Sequence, residues 1–192
     1  MKKFTILLLI VMLVGAFAIT GCGNDAPAED NAGEAGDAVV TVEPGLVNAA
    51  FEAADKAVFP NGGPLGAMKD DAIAQDMFGL NPEWMKDYVI AMPMMNVHVD
   101  TFIGVEAQEA NIADVEAAMN AYRDQIIADR EAFPYLPDHL PKAQESQVIT
   151  VGNYVFFISM ADTSEAPEDG LTDKIKEDME KAIAAVNEAL GQ

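Results

Sequence analysis

Apolar side chains return every three or four residues in three stretches of this chain, and they alternate or run together in the stretches between. Leu46, Val47, Ala50, Phe51, Ala54 and Val58 form one helical stripe. Pro60-Asn61-Gly62-Gly63-Pro64 stops that helix. A helical turn is predicted around Asp71–Met77, and Asn81-Pro82-Glu83 starts a short helix through Trp84 to near Asp87, with Asn as N-cap and Pro at the first helical position. Tyr88–Met92 reads as a strand broken by Pro93, which predicts an edge position or a bulge. From Val97 to Glu106 the pattern alternates. Val97, Val99, Thr101, Ile103 and Val105 share one face, and His98, Asp100 and Glu106 share the other, which predicts a strand with one face on a core and one largely toward solvent.

Asn111 opens a long helix whose stripe is Ile112, Val115, Met119, Tyr122 and Ile126, and Phe133-Pro134 closes it. Tyr135–Ser146, with two more prolines, is predicted as a connecting loop. Val148–Val151 and Tyr154–Met160 flank Gly152-Asn153, and glycine at the first place of a two-residue turn predicts a hairpin. The second arm is apolar on both faces and therefore central in its sheet. An acidic loop, Asp162–Gly170, leads to a last helix striped by Leu171, Ile175, Met179, Ile183, Val186 and Leu190. Two β-β-α units in succession predict an α+β fold: a two-layer sandwich, its antiparallel sheet carrying the helices on one face, with the N-terminal helices at an edge.

The N-terminus follows different rules. Lys2 and Lys3 precede an uncharged run from Phe4 to Ile19, shorter than the about 20 residues that span a bilayer. Ile19-Thr20-Gly21-Cys22 then matches a lipobox, with cleavage between Gly21 and Cys22 and a diacylglycerol lipid on the Cys22 sulfur. The expectation is a signal peptide over 1–21, a lipidated cysteine and acidic tether over 22–43, and one α+β domain over 44–192. Two acyl chains hold a protein firmly to a membrane, here on its extracytoplasmic side. From Gly23 to Asp37 the tether has small residues, acids and no large apolar side chain, too little apolar surface to offset the entropy of ordering.

Charge narrows the partners. The chain holds 32 acidic and 11 basic residues, net −21, and loss of Lys2 and Lys3 would take this to −23. Such a surface repels nucleic acid and anionic headgroups. Cys22 is the one cysteine, so no disulfide staples the fold and an apolar core must do so.

The run Asp76-Met77-Phe78-Gly79-Leu80-Asn81-Pro82-Glu83-Trp84-Met85-Lys86-Asp87-Tyr88, then Met92-Pro93-Met94-Met95-Asn96-Val97, a strand, an acidic and alanine-rich helix and the Gly-Asn-Tyr-Val-Phe hairpin resemble the family called domain of unknown function 4358. The resemblance covers roughly Leu46 to Leu190. It implies a bacterial lipoprotein with a single folded domain and carries over no catalytic residue.

Candidate chemistry is sparse. His98 and Asp100 lie on one strand face, where a histidine–carboxylate pair could move protons or hold a metal, as in an enzyme that modifies envelope polymers. An open sheet face more often carries such a pair as a solvated contact. His139 stands in the Pro137-Asp138-His139-Leu140-Pro141 segment, next to one carboxylate only. Met92, Met94 and Met95 near His98 form a set of soft ligands suited to copper(I), although methionine also fills irregular core gaps. No phosphate loop, nucleophile elbow, zinc-protease motif or EF-hand spacing is present. The sequence thus predicts a non-enzymatic, membrane-anchored module without a cofactor beyond its lipid, binding an envelope protein or a glycan through its open sheet face. Copper handling through the methionines is the alternative, and envelope-polymer chemistry ranks below it.

Overall fold

The computed structural model describes residues 45–94 and 99–192. Gly21, Cys22, the tether, Met95 and His98 lie outside the described residues. The chain order is α1 (Leu46–Val58), β1 (Leu65–Met68), α2 (Asp71–Phe78), a 3₁₀ turn (Pro82–Trp84), β2 (Met85–Pro93), β3 (Thr101–Ala107), α3 (Ile112–Ala132), α4 (His139–Glu145), β4 (Gln147–Val151), β5 (Tyr154–Ser159) and α5 (Leu171–Ala189). The fold is α+β. Its five strands form one antiparallel sheet in the order β1-β2-β3-β5-β4.

Local chemistry accounts for the element ends. Asp70 accepts from the N–H groups of Ala72 (2.9 Å) and Ile73 (3.0 Å) and so caps α2. Gly79, at φ +67°, ends that helix in the left-handed region that glycine enters without steric penalty. Asn81 accepts from Glu83 N–H (3.0 Å), which starts the 3₁₀ turn, but the turn stops at Trp84 and β2 begins at Met85. Gly152, at φ +61°, sits first in the β4–β5 turn as a primed hairpin requires. Pro93 closes β2 opposite Leu65 rather than marking an edge, and the irregular register of β2 lies at Met85/Asp87. The strand that makes β2 internal, β1, is short, contains Gly66 and carries no alternation.

The sheet is covered on both faces, which corrects two expectations. The residues of one apolar cluster come from α1 (Val47, Phe51), α5 (Ile175, Met179, Val186), Phe102 of β3 and Phe156 and Ile158 of β5. Those of the other come from α2 (Ala74, Phe78), α3 (Val115, Met119), Ile103 and Val105 of β3 and Val155 and Phe157 of β5. The phase predicted for β3 holds, since Ile103 and Val105 share a face, but its opposite face is roofed rather than wet. The long helices α3 and α5 therefore lie on opposite faces instead of together. The physical reason is α1, which is far from the β-β-α units in sequence yet packs beside α5 and against β2 and β3. Phe51, Phe102 and Phe156 form a ladder across this layer, with ring centroids 5.4 and 5.9 Å apart. Gly104 makes room for it: a Cβ there would stand 3.0 Å from Phe156 and 3.2 Å from Phe102. On the other face Tyr122 of α3 sets its ring edge-on to Phe78 (4.7 Å) and Phe157 (5.2 Å).

Residues 135–146 are not all loop. His139–Glu145 form α4, with Pro141 in its first turn, where a missing N–H loses no helical hydrogen bond. This helix touches α3, α5 and β5 and so closes the sheet at one end. Arg123 of α3 donates to the carbonyls of Ser146 (2.7 Å) and Gln144 (3.0 Å), satisfying the open C-terminal end of α4. Among the described residues no helix is long and apolar enough to cross a membrane.

Candidate functional site

The end closed by α4 gathers the buried charges found among the described residues. As the chain leaves β5 it loses its strand partners, and side chains take over its N–H groups. Met160 N–H points at the Met179 sulfur (3.5 Å), Ala161 N–H donates to Asp100 Oδ1 (3.0 Å), and Asp162 N–H donates to Asp178 Oδ2 (3.0 Å). Each carboxylate has its own ammonium. Lys142 Nζ of α4 lies 3.0 Å from Asp100 Oδ2 and 3.2 Å from Asp138 Oδ2, one helical turn earlier. Asp178 of α5 accepts from Lys174 and from Lys181 (3.1 Å). Asp100 is 2% exposed and Lys142 4%. Charges so deep in apolar surroundings persist only when paired, and here the pairing ties the strand exit to α4 on one side and α5 on the other.

Smaller groups complete the arrangement. Thr163 Oγ1 donates to Asp138 Oδ2 (2.8 Å), Ser159 Oγ to the Lys142 carbonyl (3.4 Å) and Ser146 Oγ to the Ala143 carbonyl (2.6 Å). Burial alone would raise the Asp138 carboxyl, but the Thr163 hydroxyl and the Lys142 ammonium outweigh it and hold the group below its ordinary range. Ser164 does the same for Asp162 through its hydroxyl and its N–H.

A pH dependence follows from Asp138. Its folded pKa is depressed, so its contribution to stability is complete above the unfolded value of about 4 and is lost as pH falls through the folded one. Urea midpoints measured from about pH 5 down to about pH 3 should fall, and Asp138→Asn should flatten that slope.

The sequence-predicted residues scatter. Asp100 is engaged with Lys142 and Ala161. His98, its expected partner, lies outside the described residues. His139 is buried in the first turn of α4, its ring 6.1 Å from that of Tyr135. Met92 packs half-buried against the α2/α3 cluster, whereas Met94 is 95% exposed, so these two do not share an interface, and Met95 is not described. Among the described residues no three His, Cys, Asp or Glu side chains form a group that could hold a metal ion.

Two features went unread in the sequence. The first is Lys142, which no local pattern marks as inward-facing. The second is the link between α3 and α4, where Phe133 is 77% exposed, Tyr135 69% and Leu136 40%. The signal was present: three large apolar residues among Pro134 and Pro137, in a segment with no helical or strand period.

Comparison with curated proteins and with solved structures finds no match. A family model, "Domain of unknown function (DUF4358)", matches residues 64–160. That span holds every strand of the sheet, α2, α3, α4 and the Asp100–Lys142–Asp138 cluster, and leaves out α1 and α5. With its whole sheet and its buried charge cluster inside the matched span, the chain belongs to the DUF4358 family.

Proposed function

We propose that this protein is a lipid-anchored, non-enzymatic binding module on the extracytoplasmic side of a cell membrane. Its diacylglycerol on Cys22 would fix the location, and the acidic stretch 22–43 would give the domain reach. One observation carries the binding role. On a body whose sheet faces are both sealed and whose deepest charges are internally paired, large apolar side chains stand in solvent at the α3–α4 link. Exposed apolar groups gathered at one place mark interaction sites. The docking surface is accordingly this corner, and the open sheet face expected from the sequence does not exist.

The test uses intact cells and a membrane-impermeant amine crosslinker, to which Lys176 is open. The wild-type chain should give a larger covalent species with an envelope component. Cys22→Ser should lose it, because the domain is no longer held at the surface. Recovery of monomer alone from the wild type would contradict the binding role.

A further inference from the structure

Phe133, Pro134, Tyr135, Leu136 and Pro137 form a link whose two ends are fixed. Phe133 N–H donates to the Asp129 carbonyl (2.9 Å) at the close of α3, and His139 N–H donates to the Leu136 carbonyl (3.2 Å) at the start of α4. Two prolines restrict the backbone between them, and α4 is held in place by the buried Lys142–Asp100 pair. Ordering these side chains on binding therefore sacrifices little entropy. Tyrosine and phenylalanine are enriched in the cores of protein interfaces, where a few such residues carry most of the affinity.

The surroundings select the occupant. Asp124, Asp129 and Glu131 are exposed along the last turns of α3, beside the apolar link, and Arg130, the one cation among them, is half-buried, so the three carboxylates outweigh it. The nearest lysine of α4, Lys142, is buried and neutralised by Asp100 and Asp138. The rim is thus anionic on a chain of net −21. An anionic lipid surface would be repelled, and a second copy would bring two acidic rims together. A neutral glycan would gain nothing from the rim. On the reading of the domain as a binding module, we infer that the Phe133–Leu136 link is the contact surface for a protein partner that offers a cationic patch around an apolar recess.

The test places a photo-crosslinking amino acid at Tyr135 in the full-length, membrane-anchored chain in its native cells, with the same residue at Gln147, exposed on the outer strand β4, as the comparison. The expected result is one dominant protein adduct from position 135, identified by mass spectrometry, whose contacted domain is net positive. Its yield should fall about tenfold with Phe133→Ala and with Asp129→Lys/Glu131→Lys, both of which alter exposed side chains and leave folding intact. An adduct that is a second copy, a lipid or a wall glycan would overturn the inference, as would an unchanged yield in either variant. An adduct from position 147 without one from 135 would refute this surface while leaving the module a binder. No adduct from either position would remove both.

Discussion

Lys142→Met should lower the unfolding free energy by about 3–5 kcal/mol, the usual penalty for breaking a buried ion pair by removing one partner. Methionine keeps the length and most of the volume of the lysine stem, so little of this loss comes from packing. It comes from Asp100, which would keep a carboxylate 2% exposed and, among the described residues, the Ala161 N–H alone to offset its charge. Asp138 would lose the same ammonium but retain Thr163. The damage has a known remedy. Asp100→Asn removes the stranded charge and still offers an amide oxygen to Ala161 N–H. The double variant Asp100→Asn/Lys142→Met should therefore be more stable than the sum of the single losses, by a coupling of about 0.5–3 kcal/mol. Urea unfolding of the four proteins in the cycle measures it. Simple additivity would show that the cluster does not act as a unit.

Phe102→Ala should lower stability by about 3–5 kcal/mol as well, for a different reason. The ring is wholly buried, packs at a tilt between Phe51 of α1 and Phe156 of β5, and is walled by a glycine whose lack of a Cβ makes room for it. Its removal opens a void between the sheet and the α1/α5 layer that a close-packed interior cannot refill. Phe133→Ala deletes the same side chain from a site 77% exposed, and its effect on stability should stay within about 0.5 kcal/mol. Thermal or urea unfolding of the pair separates the two roles of one residue type: the first holds the layers together, the second is free to meet a partner.

The elements set by local pattern were legible in the sequence. The α1 and α5 stripes, the helical turn around Asp71–Met77 and the Gly152-Asn153 hairpin depend on neighbours within a few residues, and all are where local pattern placed them. What depends on return contacts was not legible. Phe102 falls on the strand face that alternation assigned largely to solvent, because the helix that roofs it begins more than forty residues earlier in the chain. Leu65–Met68 became a strand only because β2 offered it an edge, and α4 hid behind Pro137 and Pro141. The same holds for the candidate site. Asp100 was singled out for a histidine two residues away, yet its ammonium partner is supplied by Lys142, which reaches it from a helix that periodicity does not reveal. The exposed link was visible as residues but was passed over as a connector, since a solvent-facing apolar side chain has no period to announce it.

The proposed location, reach and partner all rest on one covalent bond at Cys22. The mass of the N-terminal tryptic peptide from protein extracted out of membranes tests it directly. The peptide should begin at Cys22 and carry the added mass of a diacylglycerol. A peptide that still contains Met1, or that holds Cys22 unmodified, would contradict the account.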